Sequence, residues 1–230
     1  SWTNCNSSTM IPLNAGQRVC IRSKRTTWNR YNSSPIFSSA GDKLCYISGN
    51  IMSLFCDSGW DFSSLTLAGD VLNGAFGYNG NDKTAYIDIE TDGEGKPLLI
   101  LPATTIGVKT YKNLFYGCTT LTCAPELPAT EMQEGCYHWM FYGCTSLTTA
   151  PDLPATTLAK DCYREMFYGC SSLNSIKCLA TTNINNDGST TNWVSGVAAS
   201  GTFVKASDVT WSTGVHGIPS GWTVQDDPTP

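Results

Sequence analysis

The segment LPATEMQEGCYHWMFYGCTSLTTAPD, residues 127–152, decides the reading of this chain, because it is written three times. Residues 101–126 read LPATTIGVKTYKNLFYGCTTLTCAPE before it, and residues 153–178 read LPATTLAKDCYREMFYGCSSLNSIKC after it. Ten of the 26 columns are identical in all three rows: LPAT, the Tyr of column 11, FYGC and the Leu of column 21. Self-similarity at a fixed period of roughly 20–50 residues marks stacked units, each burying its apolar side on its neighbours.

Within a row, SLTTAP is short, Thr-rich and closed by Pro, which reads as one strand per row. Strands are therefore expected near 121–124, 147–150 and 173–176, paired in parallel. LPAT is a connecting turn. In the following stretch Leu158, Cys162, Met166 and Cys170 stand four apart, which predicts a short helix, with Gly117, Gly143 and Gly169 at its C-terminal cap. The fold expected is α/β: a right-handed solenoid of 26-residue strand–turn–short-helix repeats with β-rich caps at both ends.

The array reaches beyond the three clear rows. Downstream, a spacing of 26 puts Trp193 in the column of Phe167 and leaves Phe203 in the strand region. Upstream, LNGAFGYN sets Phe76 against Phe115, one period plus a 13-residue insertion away, and gives Asn79 the column of Cys118. The organisation expected is a β-rich N-terminal cap over 1–60, the solenoid over 61–205, and a C-terminal cap and tail over 206–230. The closing QDDPTP reads as a linker start or a free tail.

Composition narrows the function. Of 230 residues 41% are hydrophobic, enough for a core, but only 14% are charged, against about a quarter in an average soluble domain. Ser and Thr number 51 and supply the missing polarity, a surface common outside the cell. The net charge of −5 gives no basic face for a nucleic-acid backbone. No apolar run reaches the roughly 18 residues of a membrane span. No signal peptide is visible, and a chain that opens at Ser1 rather than Met reads as a trimmed form.

Eleven cysteines are many for this length, and the number is odd. Cys118, Cys144 and Cys170 recur at 26, as do Cys136 and Cys162, so they read as buried free thiols of a repeat column rather than as disulfides. A disulfide staple remains open for Cys5, Cys20, Cys45 and Cys56, whose pairing the spacing does not choose.

The repeats resemble the BspA-type leucine-rich repeats of surface proteins from host-associated bacteria, carried by FYGCTSLTTAPDLPATTL. The tail from Leu179 through NWVSGV, GTFVK and GIPSGWTV is similar to the terminating segment of that family, and ISGNIMSL to its N-terminal β segment. The acidic insertion at 82–96 and the cysteines at 123 and 178 depart from the pattern. The resemblance implies export to the cell surface or beyond, a leucine-rich-repeat solenoid and an adhesive role, with no catalytic residues.

Sites of chemistry are sparse. His138 shares a column with Lys112 and Arg164 and reads as a member of a solvated face; a Cys136–His138 pair lacks a third, orienting group. The segment from Asp88 through Glu90 and Asp92 partly resembles a calcium loop. Its twelfth position is Leu99, where the loop requires a bidentate carboxylate, so a solvated acidic hairpin is the preferred reading. No catalytic residue, cofactor or metal ligand is assigned.

What remains is a binding surface for a protein or a glycan. The strand face presents Thr122, Thr148, Thr149 and Asn174, with Glu126 and Asp152 at its rim, and this small-polar face suits an adhesin that hydrogen-bonds a host or microbial protein. The alternative is a carbohydrate-binding module using Trp139 and Tyr142 of the row Tyr116, Tyr142, Tyr168. Trp139, in a column that reads as solvent-facing, reads equally well as lying over the next repeat, and core-edge packing is the preferred reading of the Tyr row. A structural spacer that binds nothing is the third possibility.

Overall fold

Repetition of the rows at a near-constant spacing puts like residues over like residues. The computed structural model describes residues 44–50, 66–67, 72–77 and 86–228. Its strands are short and parallel. They are β1 (Cys45–Ile47), β2 (Gly49–Asn50), β3 (Thr66–Leu67), β4 (Ile87–Ile89), β5 (Leu99–Ile100), β6 (Thr105–Ile106), β7 (Ser175–Cys178), β8 (Thr202–Lys205) and β9 (Thr223–Asp226). β1 pairs with β4, β2 with β5 and β3 with β6, while β7, β8 and β9 form a three-stranded sheet in that order. The row 147–150 joins β7 through a parallel bridge from Thr149 to Ser175. Residues 121–124 form no strand. β1 and β2, from the segment expected to cap the N-terminus, are hydrogen-bonded directly to the rows that follow. β9, from the C-terminal segment, extends the same sheet as β7 and β8. Cys5, Cys20, Cys56 and Asn79 lie outside the described residues.

The expected helices are absent: no described residue is α-helical. In their place each row carries a run of overlapping turns, and the N–H groups explain why. In the middle row His138, Met140, Tyr142 and Cys144 donate to carbonyls three residues back, at 3.0–3.3 Å. The intervening residues donate instead to the next row: Gly135 to Lys160, Tyr137 to Cys162, Trp139 to Arg164, Phe141 to Met166 and Gly143 to Tyr168, at 2.7–3.1 Å. Every second donor leaves the row, so the i to i−4 ladder of a helix cannot form. Each fourth residue is left-handed, with φ of 61° at Gly135, 59° at Trp139 and 72° at Gly143, and a helix does not accommodate such residues. The four-residue spacing of Leu158, Cys162, Met166 and Cys170 comes from this turn period, and all four are buried. Gly169 is left-handed as a cap would be (φ 74°), but it closes a run of turns.

The turn rows stack their aromatic columns. Phe76, Phe115, Phe141 and Phe167 follow one another at centroid distances of 5.5, 5.5 and 5.6 Å. Phe76 thus meets Phe115 across the insertion. The column after Phe167 differs from expectation. The Phe141 N–H bonds the carbonyl of Met166, 25 residues on, whereas the Phe167 N–H bonds that of Trp193, 26 on. One residue has been added, so Trp193 holds the column of Met140 and Met166, and Val194 that of Phe167. The indole is large enough to stack on Tyr163 at 6.0 Å and still touch Phe167 at 6.2 Å.

Tyr111, Tyr137 and Tyr163 form a second stack, at 5.7 and 6.0 Å. The Tyr137 hydroxyl is buried with no hydrogen-bond partner among the described residues. An unpaired buried hydroxyl costs more than the apolar group that would replace it. Tyr137→Phe should therefore raise stability by about 1 kcal/mol, read as a higher urea midpoint at unchanged m-value. A lower midpoint would show that the hydroxyl has a partner.

Candidate binding surface

The thiol column is the simplest local arrangement. Cys118, Cys144 and Cys170 are free and fully buried. Each donates from Sγ to the carbonyl of a Phe in the preceding row: Phe76 at 3.4 Å, Phe115 at 3.2 Å and Phe141 at 3.0 Å. Burial holds the Cys144 thiol well above its ordinary range and pushes Cys170 up to about 12. These groups fill space and pair a carbonyl, as expected of a repeat column. Cys136 is likewise buried, with its thiol raised to about 12 by burial, the opposite of what activates a nucleophile.

Thr122, Thr148, Thr149 and Asn174 are all exposed. Thr148, Thr149 and Asn174 are brought together by the backbone: the Asn174 N–H donates to the Thr148 carbonyl at 2.9 Å, and Ala150 N–H to that of Ser175 at 2.9 Å. Thr122 is held differently. Its N–H and hydroxyl donate to the two oxygens of Asp88, at 2.9 and 2.8 Å. Asp88 therefore does not belong to a solvated acidic hairpin; it is 5% exposed and also accepts the Ile89 N–H at 2.8 Å. Asp92 turns its carboxylate the other way, onto the N–H groups of Glu94 and Lys96, which lowers its pKa. At the rim Glu126 pairs with Lys96 at 3.2 Å and Asp152 with Lys177 at 3.8 Å. The exposed Lys96–Glu126 pair contributes little to stability, while Lys177 is held more closely by nearly buried Asp227, at 3.2 Å.

The aromatic candidates sit in the turn runs and are engaged with their neighbours. Tyr142 is stacked between Tyr116 and Tyr168, at 4.7 and 4.8 Å and nearly parallel to both. Its pKa is raised by burial first and then by those two neighbours. Trp139 is half-buried, which agrees with the reading that lays it over a neighbouring row rather than with the solvent-facing one. Its indole N–H donates to Glu165 at 2.9 Å, Lys112 lies 4.9 Å from the ring centroid, Tyr116 meets the ring edge-on, and the His138 ring lies at 4.1 Å. The faces a sugar would stack on are occupied by protein. Lys112 and Glu165, one row before and one row after, carry this arrangement. Sequence pattern missed both, because variable charged columns read as solvent-facing.

His138 also departs from the solvated reading. The side chain is half-buried, and Nε2 is fully buried with no hydrogen-bond partner among the described residues. Burial first, then the cations of Lys112 and Arg164, lower the imidazole to about 4; Lys109 adds slightly and Asp161 opposes. The unfolded chain takes up its proton near pH ~6.5. The contribution of this neutral ring is thus complete above that pH and is lost as pH falls towards about 4. His138→Asn should flatten the stability curve across this window in urea titrations. Equal slopes in the two proteins would mean the ring is hydrated.

Among the described residues no helix is long and apolar enough to cross a membrane, and no three His, Cys, Asp or Glu side chains gather as a metal site. In comparisons with known proteins, no family model, curated protein or solved structure matches this chain.

Proposed function

We propose that the chain is a non-enzymatic binding module, exported and displayed at a bacterial cell surface or released outside it, where it acts as an adhesin on a host or microbial protein. In this reading the parallel rows form a right-handed solenoid of the leucine-rich-repeat kind, related to the BspA-type proteins its repeats resemble, with turn runs where the four-residue spacing predicts helices. The observation that carries the choice of face is the contrast between the two candidate surfaces. Thr148, Thr149 and Asn174 are exposed on a hydrogen-bonded backbone, whereas Trp139 and Tyr142 have their ring faces covered. Polar groups fixed on a paired backbone lose little entropy on binding. The carbohydrate alternative through the aromatic row has less support for the same reason.

Surface plasmon resonance of the full chain over immobilised collagen, fibronectin, laminin and fibrinogen tests this. Thr148→Arg combined with Thr149→Arg should weaken binding to the responding protein by roughly tenfold or more. Trp139→Ala combined with Tyr142→Ala should leave it within about twofold. Binding lost in the aromatic variant and kept in the arginine variant would put the working surface on the turn side.

A further inference from the structure

The residue added to the last row builds a cleft. It falls in the run Asn183-Ile184-Asn185-Asn186-Asp187, where Asn183, Asn185 and Asp187 have φ of 62°, 63° and 46°. Asn and Asp tolerate this region better than other side chains. The run is anchored: Asn183 Nδ2 donates to the Leu158 carbonyl at 3.1 Å, the Asp187 carbonyl accepts the Asp161 N–H at 3.2 Å, and Asn185 Nδ2 donates to Ser212 Oγ at 2.8 Å. Facing it, the segment 211–217 is fixed to the turn row by four bonds, one of them from the Val194 N–H to the Val215 carbonyl at 3.4 Å. The Thr190 hydroxyl donates to the His216 carbonyl at 2.8 Å, the Trp193 indole N–H to the Gly217 carbonyl at 2.8 Å, and the Asn192 N–H to His216 Nδ1 at 2.9 Å. Between the two segments lies a cleft of about 360 Å³ lined by Asn185, Thr191, Ser212 and His216.

The lining defines a chemistry. It contains no carboxylate, lysine or arginine, so a phosphate, a carboxylate or an amine would enter without a counter-charge. It does contain matched donors and acceptors. Because His216 Nδ1 accepts the Asn192 N–H, the ring proton resides on Nε2, which is a donor. Ser212 Oγ accepts from Asn185 and keeps its own hydrogen to donate, while the Thr191 hydroxyl can do both. Such groups, held on a backbone that is already bonded, recognise vicinal hydroxyls. Asn185, Ser212 and His216 are exposed and Thr191 half-buried, so the cleft is open and suits a single sugar ring held at the surface. We propose that this cleft binds a neutral, hydroxyl-rich sugar residue of a glycan, separately from the protein-binding strand face.

The full chain should be titrated with the methyl glycosides of glucose, galactose, mannose and N-acetylglucosamine. Binding is read by ligand-observed NMR and calorimetry, with N-acetylneuraminic acid and inorganic phosphate as charged comparators. At least one neutral glycoside should bind. Thr191→Trp, which fills the cleft, should abolish that binding, and His216→Phe, which removes the Nε2 donor, should weaken it roughly tenfold. Melting temperatures near wild type show that these variants fold. If either does not, Ser212→Ala serves in its place, with an expected loss of roughly threefold to tenfold. Thr148→Arg with Thr149→Arg should bind the glycoside as wild type does, so the two readings fail independently. Binding of no neutral glycoside, binding of the charged comparators alone, or binding that survives the folded variants would each overturn the proposal.

Discussion

Phe141→Ala should destabilise the chain by about 3–5 kcal/mol, measured by urea unfolding. The ring is fully buried and lies between Phe115 and Phe167 at 5.5 and 5.6 Å, with interplanar angles of 3° and 5°. Truncation removes contacts to both neighbouring rows at once. It also leaves a cavity that the rows cannot close by moving together, because their separation is set by the backbone bonds from Phe115 to Met140 and from Phe141 to Met166. The Cys170 thiol, which donates to the Phe141 carbonyl, would keep its partner, so the loss is one of packing. Phe141→Leu, which retains most of the volume, should cost about 1 kcal/mol. A cost below about 1 kcal/mol for the alanine variant would mean that the stack is not close-packed.

The period was the legible part. A fixed spacing identified the columns that face the core, because burial on a neighbouring row requires the same residue type at the same place. Phe76 over Phe115, the free thiols and the bridge from Thr149 to Ser175 all follow from that spacing. The turn runs were not legible. A stripe at four-residue intervals is shared by a helix and by a chain of turns, and the left-handed residues that distinguish them are mostly not glycine. They are Lys109, Asn113, Trp139, Asp161 and Glu165; Asn and Asp tolerate positive φ, but Lys, Trp and Glu give no signal of it. The same ambiguity hid the added residue at 183–187, because Trp193 fits an aromatic column at a spacing of 26 as well as the Met column at 27. At the surface, variability between rows does not distinguish exposure from pairing across rows. His138, Trp139 and Glu165 vary because they pair with one another and with their neighbours across rows, an arrangement that one-row-at-a-time reading does not reveal.

Asp88→Ala should cost about 3 kcal/mol and should be felt at Thr122. The carboxylate is almost completely buried on β4 and accepts three hydrogen bonds, one from its own strand and two from Thr122. Bonds to a charged acceptor contribute about 1.5–3 kcal/mol each, and removing the acceptor leaves the buried Ile89 N–H without this partner, while the donors of exposed Thr122 turn to water. These terms overlap, so the sum is smaller than three separate bonds. Asp88→Asn keeps one acceptor oxygen and should recover about half of the loss. The variant series also distinguishes a structural carboxylate from a calcium ligand. Both oxygens are already engaged by Thr122 and Ile89, so added calcium should not shift the melting temperature of the wild type. A clear upward shift with calcium, abolished in Asp88→Asn, would mean that these bonds give way to the ion. Thr122→Val tests the link from the other end. It removes only the hydroxyl bond and should cost about 1 kcal/mol, while the backbone N–H keeps the strand-face column attached to β4. If Thr122→Val instead matched the full effect of Asp88→Ala, the hydroxyl rather than the backbone N–H would be the bond that holds this end of the strand face.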